Sequence, residues 1–164
     1  MRSVALVVAA CAGLVLLRAA WCQPPTGPKP TVELRRPGFV FLELGTPHVD
    51  EYAAYFQAVA GFHKTSGDKG FTTLESDVAQ IMVMHPDELP NGHPFFRKLL
   101  GREQGLGVEI GIVVADLDRS FAAAKEHGRW KISSGIAMRP WGVRDFRAVS
   151  PDGYYLRFTE PPRS

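Results

Sequence analysis

The feature of this sequence that most constrains its fold is an order of secondary structure that occurs twice. In each of two successive stretches, a short apolar strand is followed by a helix and then by further strands separated by turn residues. The first stretch runs from Phe39 to Met84 and the second from Val108 to Thr159. The sequence therefore predicts an α+β fold built from two βαβββ modules.

The first module is bounded by turn and helix-end signals. Its helix is predicted over Val49 to Ala60, because Asp50 suits the first turn of a helix and Gly61 is a natural stop. The residue pairs between its later strands have hairpin-turn chemistry. Its strands are predicted at Phe39–Leu44, Phe62–Ser66, Phe71–Glu75 and Val78–Met84.

The second module follows a proline-containing loop from His85 to Gly105. Its helix is predicted to open at Asp116 and to run to His127, where Gly128 stops it. Apolar and β-branched runs mark the strands on either side of this helix. These strands are predicted at Val108–Val114, Trp130–Ser133, Gly135–Arg139, Val143–Ser150 and Tyr154–Thr159.

Residues 1–22 have the layout of a secretory signal peptide. Arg2 is followed by an apolar run from Val4 to Leu17, which is too short to span a membrane. Small residues at Ala20 and Cys22 suit a cleavage site, so we expect export, with no stable membrane span after cleavage. A lipid anchor through Cys22 is the minor alternative.

Composition narrows the possible partners. Residues 23–37 hold five of the 13 prolines and predict an extended linker, which leaves a domain at 38–161. Both cysteines lie in the signal segment, so the mature chain has no disulfide. The chain has 19 Lys and Arg against 17 Asp and Glu, and cleavage removes two of the arginines. A neutral chain of this kind does not suggest a nucleic-acid partner, which requires a clustered basic face.

Three motifs follow one another in the second module: Val114 to Asp118 before the helix, then Pro140 to Phe146, then Ser150 to Gly153. Together they resemble the run of motifs in the vicinal oxygen chelate superfamily, which includes glyoxalases, bleomycin-resistance proteins and extradiol dioxygenases. The resemblance covers nearly all of the domain. It implies paired βαβββ modules whose sheets curl around a shared cavity, a small-molecule ligand and a homodimer. Because this fold carries several activities, the resemblance does not select one.

In metal-using members of that superfamily, His, Gln or Glu side chains from the first and last strands of each module hold a divalent cation. The resemblance places Phe41, Met82, Glu109 and Arg157 at those four positions. The Arg157 guanidinium carries donors only and cannot coordinate a cation. Glu109 alone suits a hard divalent ion, which requires several oxygen or nitrogen ligands. We therefore expect neither a metal nor another cofactor.

Strand alternation predicts which side chains line the cavity instead. An ion pair between Glu109 and Arg157 either neutralises two buried charges or makes Arg157 the clamp for a ligand carboxylate. Trp141 either caps the core or stacks on a flat ligand at the rim. Arg144 and Arg147 lie on opposite faces of their strand, so at most one of them faces the cavity. The predicted pocket residues are Phe41, Glu43, Met82, Met84, Glu109, Trp141, Tyr155 and Arg157.

Three functions remain open from the sequence. The first is a metal-independent pocket for a small, partly apolar and anionic or aromatic molecule, as in bleomycin-resistance-like relatives. The alternative is a glyoxalase-like lyase or isomerase, or a dioxygenase-like enzyme, with a metal held by Glu109 and by His85, Glu43 or a second subunit; its catalytic residues are unknown. The third is an interaction module whose own side chains fill the cavity. His93 is a further candidate ligand, although a loop histidine is usually solvated.

Overall fold

The computed structural model describes residues 41–89 and 104–161 of the chain. The predicted signal peptide (1–22), the linker (23–37) and His93 lie outside these residues. Within them, the chain forms two four-stranded sheets and two α-helices, so the predicted α+β fold of two βαβββ modules is confirmed. Neither of these helices is long and apolar enough to cross a membrane.

The first module is a mixed sheet covered on one side by a helix. Its elements in chain order are β1 (Phe41–Gly45), α1 (Val49–Ala60), β2 (His63–Gly67), β3 (Phe71–Glu75) and β4 (Gln80–Met84), followed by a short 3-10 helix (Pro86–Glu88). The strand order is β1-β4-β3-β2, with β1 parallel to β4 and the other pairs antiparallel. The parallel pair requires a long crossover, which begins with α1.

The second module repeats this arrangement. Its elements are β5 (Glu109–Val113), α2 (Leu117–His127), β6 (Lys131–Met138), β7 (Arg144–Val149) and β8 (Tyr155–Thr159). The strand order is β5-β8-β7-β6, again with the first and last strands parallel and the other pairs antiparallel. Each module therefore places its first and last strands side by side.

Two strand predictions are corrected by the structure. The strands predicted at Trp130–Ser133 and Gly135–Arg139 are one strand, β6, which keeps its pairing to β7 through two register shifts. These irregularities absorb extra residues without ending the ladder. The strand predicted from Val78 begins at Gln80, because the preceding residues form a turn in which the N–H of Ser76 donates to the carbonyl of Ala79 at 2.9 Å.

Both helices begin and end where the sequence predicts. α1 ends at Gly61, whose φ of 71° is a left-handed conformation that favours glycine, and α2 ends in the same way at Gly128. α2 begins after Asp116, whose carboxylate accepts a hydrogen bond from the N–H of Arg119 at 2.9 Å. Local signals therefore mark three of the four helix ends; at the start of α1, His48 makes no side-chain cap hydrogen bond.

An aromatic core joins the two modules. α1 buries Tyr52, Tyr55 and Phe56, and Trp130 of the second module stacks on Tyr55 with 3.7 Å between the ring centroids. The Trp130 ring also meets the Tyr52 ring edge to face at 4.8 Å, and its N–H donates to Glu51 at 3.2 Å. α1 and α2 pack against each other as well. The core therefore lies on the helix side of both sheets.

A buried polar cluster also holds the modules together. Asp152 Oδ2 accepts hydrogen bonds from the hydroxyls of Thr46, at 2.6 Å, and Tyr52, at 2.7 Å. Because a phenol has one proton, Tyr52 donates to Asp152 and accepts from Ser150, whose Oγ lies 2.7 Å away. Burial is the largest of the effects that raise the pKa of Tyr52 above its ordinary value. The turn at 150–153 therefore locks the second module onto the first.

Candidate functional site

The sheet of the second module has one apolar and one charged side. Along β7 and β8, Phe146 and Phe158 point into the core and are fully buried, while Arg147 and Arg157 alternate with them and point to the opposite side. We call this opposite side the charged face. Its members are Glu109, Arg139, Asp145, Arg147, Tyr155 and Arg157.

Arg157 is the central cation of the charged face. Its Nε lies 3.2 Å from Glu109 Oε1, but this nitrogen makes no hydrogen bond to a described residue. The two side chains form a loose ion pair, and each remains about one third exposed (33% and 36%). The predicted ion pair is therefore present, but it is only partly buried. Gly111 faces Arg157 on β5, where an added Cβ would be in ordinary van der Waals contact with Arg157 Nη2 at 3.4 Å.

Asp145 is the buried anion of the charged face. Its side chain is fully buried, and Oδ1 accepts a hydrogen bond from Arg139 Nε at 2.6 Å. Arg139 also donates from Nη2 to Ser134 Oγ at 2.9 Å. The Nε of Arg147 lies 3.6 Å from the same Asp145 oxygen, within ion-pair range but without a hydrogen bond. A single carboxylate therefore faces two guanidinium groups.

Arg147 is oriented by an aromatic neighbour. Its Nη1 donates to the hydroxyl of Tyr155 at 3.2 Å, and its guanidinium lies 6.0 Å from the centre of that ring. This hydrogen bond is the main reason why the pKa of Arg147 is raised. Arg144 points to the helix side and contacts Asp118 at 3.1 Å, so the prediction that the two arginines lie on opposite faces is confirmed.

A pocket of about 340 Å³ adjoins the charged face. Trp141 stands beside it with its ring 5.8 Å from the Arg157 guanidinium, and 55% of the tryptophan is exposed. The alternative in which Trp141 caps the core is therefore wrong. Val113 is also exposed, although it is a large apolar residue. The pocket is lined by Val113, Trp141, Val143, Arg157, Thr159 and Glu160.

The four pocket residues predicted in the first module lie on its own sheet. Met82 is buried on β4, and β1 places Glu43 beside it in register. Phe41 is 40% exposed at the start of β1, and Met84 is half-buried at the end of β4. No hydrogen bond, ion pair or ring contact between described residues joins these four to the charged face. Of the eight predicted residues, the described contacts bring together Glu109, Arg157 and Trp141, and Tyr155 joins Arg147.

The four positions that the resemblance assigns to metal ligands are equivalent between the modules. Phe41 is the first residue of β1 as Glu109 is of β5, and Met82 is the third residue of β4 as Arg157 is of β8. An aromatic ring, a thioether, a carboxylate and a guanidinium do not fit a hard divalent cation. Within residues 41–89 and 104–161, no group of three or more His, Cys, Asp or Glu side chains could hold a metal.

His85 has a local structural role. Its Nδ1 accepts a hydrogen bond from the N–H of Asp87 at 3.2 Å, which caps the short 3-10 helix that follows β4. The carboxylate of Asp87 lies 3.6 Å from the same ring nitrogen. The described contacts of His85 are therefore those of a helix cap.

Sequence reasoning missed two members of the charged face as site residues and left a third undecided. Asp145 and Arg139 were not predicted to line a site, and Arg147 was one of two candidates. The alternation of Asp145 and Arg147 along one strand was a usable signal, because both had to face away from Phe146. Nothing in the local sequence showed that Arg139, beyond the end of β6, would reach Asp145.

Comparison with known proteins places this fold among glyoxalase-like structures. No protein-family model matches the chain, and no curated protein does. A solved glyoxalase/bleomycin resistance protein from Albidiferax ferrireducens T118 is 16% identical, with a TM-score of 0.58 over 76% of this chain and 98% of that one. A glyoxalase/bleomycin resistance protein/dioxygenase family enzyme from Burkholderia phytofirmans PsJN is 13% identical, with a TM-score of 0.58 over 73% and 95%.

A member of the same superfamily from Sphaerobacter thermophilus DSM 20745 gives a similar result. It is 19% identical, with a TM-score of 0.52 over 75% of this chain and 97% of that one. Identities this low concern the fold and leave ligand and activity open. The chain has the paired-module fold of the glyoxalase/bleomycin resistance protein/dioxygenase proteins.

Proposed function

We propose that this protein is an exported, metal-independent small-molecule binding protein whose pocket lies on the charged face of the second module. The observation that carries the proposal is the pocket beside Trp141 and Arg157. A volume of about 340 Å³ lies at the lower end of the range for ligand pockets, which favours a small ligand.

The side chains around this pocket have the mixture that binding sites use. Val113 and Trp141 are exposed apolar residues that gain by being covered, and Arg157 is a partly buried cation that can orient a polar group. A pocket of this size beside an exposed tryptophan also supports a binding role over the alternative in which side chains fill the cavity.

The enzyme alternative requires a metal site that the described residues do not favour. Glu109 is paired with Arg157, His85 caps a short helix, and Glu43 belongs to the other module's sheet. A cation bound by Glu109 would have to displace the guanidinium and would then lie close to its positive charge. This arrangement supports a pocket that works through shape and charge.

The test is a titration of the purified protein with defined probes in the presence of EDTA. Tryptophan fluorescence monitors the binding. We expect saturable binding of 2-naphthamide, a neutral flat molecule, with the same affinity in EDTA and in added zinc or manganese. Trp141→Ala should weaken binding at least fivefold. Calorimetry measures binding to this variant, which lacks the tryptophan beside the pocket. Val78→Ala is the matched control, because Val78 is an exposed apolar residue of the first module.

Two results would overturn the proposal. Stoichiometric metal in elemental analysis of the protein, with binding lost in EDTA, would favour the enzyme. No saturable binding of any flat or apolar probe would favour the interaction module. The mass of the mature protein tests export, since cleavage after Cys22 leaves an unmodified chain and lipidation adds the mass of the acyl groups.

A further inference from the structure

Arg157 has hydrogen-bonding capacity that the described protein does not use. Its guanidinium carries five N–H groups, and it makes no hydrogen bond to a described residue. The Nε is nevertheless shielded from solvent, so its N–H lacks both water and a protein acceptor. A ligand acceptor would therefore approach the terminal Nη1 and Nη2 groups, which also make no hydrogen bond to a described residue and are not shielded in this way.

A second guanidinium stands directly opposite on the neighbouring strand. Arg147 and Arg157 are paired in register between β7 and β8 and point to the same side. Like charges in this relation repel each other. Asp145 lies under Arg139 and Arg147, and Glu109 lies beside Arg157. Among these five side chains, the guanidiniums therefore outnumber the carboxylates by three to two.

Two carboxylates close to the pocket do not prevent an anion from entering. Glu109 is held only by the loose ion pair with Arg157. Glu160 lines the pocket, but both of its oxygens are engaged by Arg144, whose backbone N–H donates to Oε1 and whose Nε donates to Oε2, each at 3.0 Å. The charge of Glu160 is thus balanced on the helix side of the sheet.

We propose that the pocket selects flat aromatic monocarboxylates, a conclusion that rests on the proposed binding function. The ligand ring would cover Val113 and Trp141, and its carboxylate would accept hydrogen bonds from Arg157. A guanidinium fork matches a planar carboxylate in two parallel hydrogen bonds. The guanidiniums around Arg157 favour an anionic ligand, and Arg147 adds a longer-range attraction.

The test compares two probes that differ in charge and little in shape. 2-Naphthoate and 2-naphthamide are titrated by calorimetry into the full-length mature protein at low salt. We expect the carboxylate to bind at least tenfold more tightly than the amide, because hydrogen bonds to charged groups are the stronger ones. This preference should shrink when the ionic strength is raised, since the site is partly exposed.

Arg157→Met should remove the preference, because it weakens the binding of 2-naphthoate much more than that of 2-naphthamide, and an unchanged circular dichroism spectrum shows that the variant is folded. Arg157→Lys should restore part of the preference, because it keeps the charge but loses the planar fork. Arg119→Met is the control, because this substitution also removes one positive charge but lies on α2, outside this pocket.

Equal affinities of the two probes for the parent protein would overturn the selection of carboxylates and leave the binding pocket intact. The same conclusion would follow if Arg157→Met kept the full preference. Failure of both probes to bind would overturn the proposed pocket itself. The two proposals therefore fail in different ways.

Discussion

The two modules have one topology, yet the outer sides of their sheets present different chemistry. In the first module this side carries Met82 among mostly uncharged residues, together with His63 and two glutamates, Glu43 and Glu75. In the second it is a network of three arginines and two carboxylates. At equivalent strand positions, the pairs from the first and second modules are Phe41 and Glu109, Glu43 and Gly111, and Met82 and Arg157.

The difference shows which positions the fold constrains and which it leaves free. Core positions such as Val83 and Phe158 are apolar in both modules, because each sheet must bury one side against the helices. The outer positions carry no such requirement and can diverge. Gly111, which has no side chain, faces Arg157 between β5 and β8, whereas Glu43 faces Met82 at the equivalent place in the first module.

The largest expected effect comes from comparing alanine substitutions of the core residue Trp130 and the pocket residue Trp141. Trp130→Ala should lower the free energy of unfolding by about 3 to 5 kcal/mol, because it removes a buried ring that stacks on Tyr55 and leaves a cavity between the modules. Urea denaturation followed by circular dichroism measures this loss.

Trp141→Ala is the matched change on the outer side. Its ring is more than half exposed, so the loss should stay below about 1 kcal/mol while binding suffers. Equal losses of stability in the two variants would contradict the division between a core that joins the modules and an outer side that binds.

The buried carboxylate of the second module gives the next largest effect. Asp145→Asn should lower the free energy of unfolding by about 2 to 3 kcal/mol, because Arg139 and Arg147 then face each other without a buried anion. The partial exposure of both arginines keeps the loss below that of a fully buried pair. Asp118→Asn, which removes the exposed partner of Arg144, should change stability much less. Similar denaturant midpoints for the two variants would show that the ion pairs of Asp145 do not contribute to the free energy of unfolding.

The sequence predicted the helices better than the strands of either module. Gly61 and Gly128 end helices through a backbone conformation that is a local property, so the ends could be read directly. β6 was predicted as two strands with a break at Ser134. The long ladder with β7 overrides that interruption, and pairing with a distant strand is not visible in a local window.

The candidate site was predictable only in part, for a related reason. Alternation shows which side of a sheet a residue faces, and this was enough for Glu109, Arg157 and the opposite directions of Arg144 and Arg147. It does not show which long side chains meet across strands. The contact between Arg139 and Asp145, and the position of Trp141 over Arg157, depend on how loops beyond the strands return to the sheet.

Alkaline pH should destabilise the packing between the two modules. Burial is the main cause of the raised pKa values of Tyr52, Tyr55 and Tyr154 in the folded state. Below about pH 10, the ordinary tyrosine pKa, these tyrosines are protonated in both the folded and the unfolded protein, and their contribution to stability is fully present. Above it the unfolded chain loses its protons first, so stability falls by about 1.4 kcal/mol per pH unit for each such tyrosine.

Tyr52→Phe should reduce this slope and should cost about 1 to 2 kcal/mol at neutral pH through the lost hydrogen bond to Asp152. Denaturation midpoints between pH 8 and pH 11 measure both effects. An unchanged slope in the variant would mean that Tyr52 is not buried as the contact between the modules requires.

The smallest effect on stability is expected at Glu109, whose equivalent in the first module is the uncharged Phe41. Glu109→Gln removes one partner of a loose, partly exposed ion pair, so the free energy of unfolding should change by less than about 1 kcal/mol. The same change leaves Arg157 without its competing carboxylate, and the affinity for 2-naphthoate should rise two- to threefold while that for 2-naphthamide stays constant. Glu43→Gln, the same substitution on the first module, should leave both affinities unchanged. If Glu109→Gln instead weakened the binding of 2-naphthoate, Glu109 would orient Arg157 for its ligand, and the excess of positive charge would not be the cause of binding.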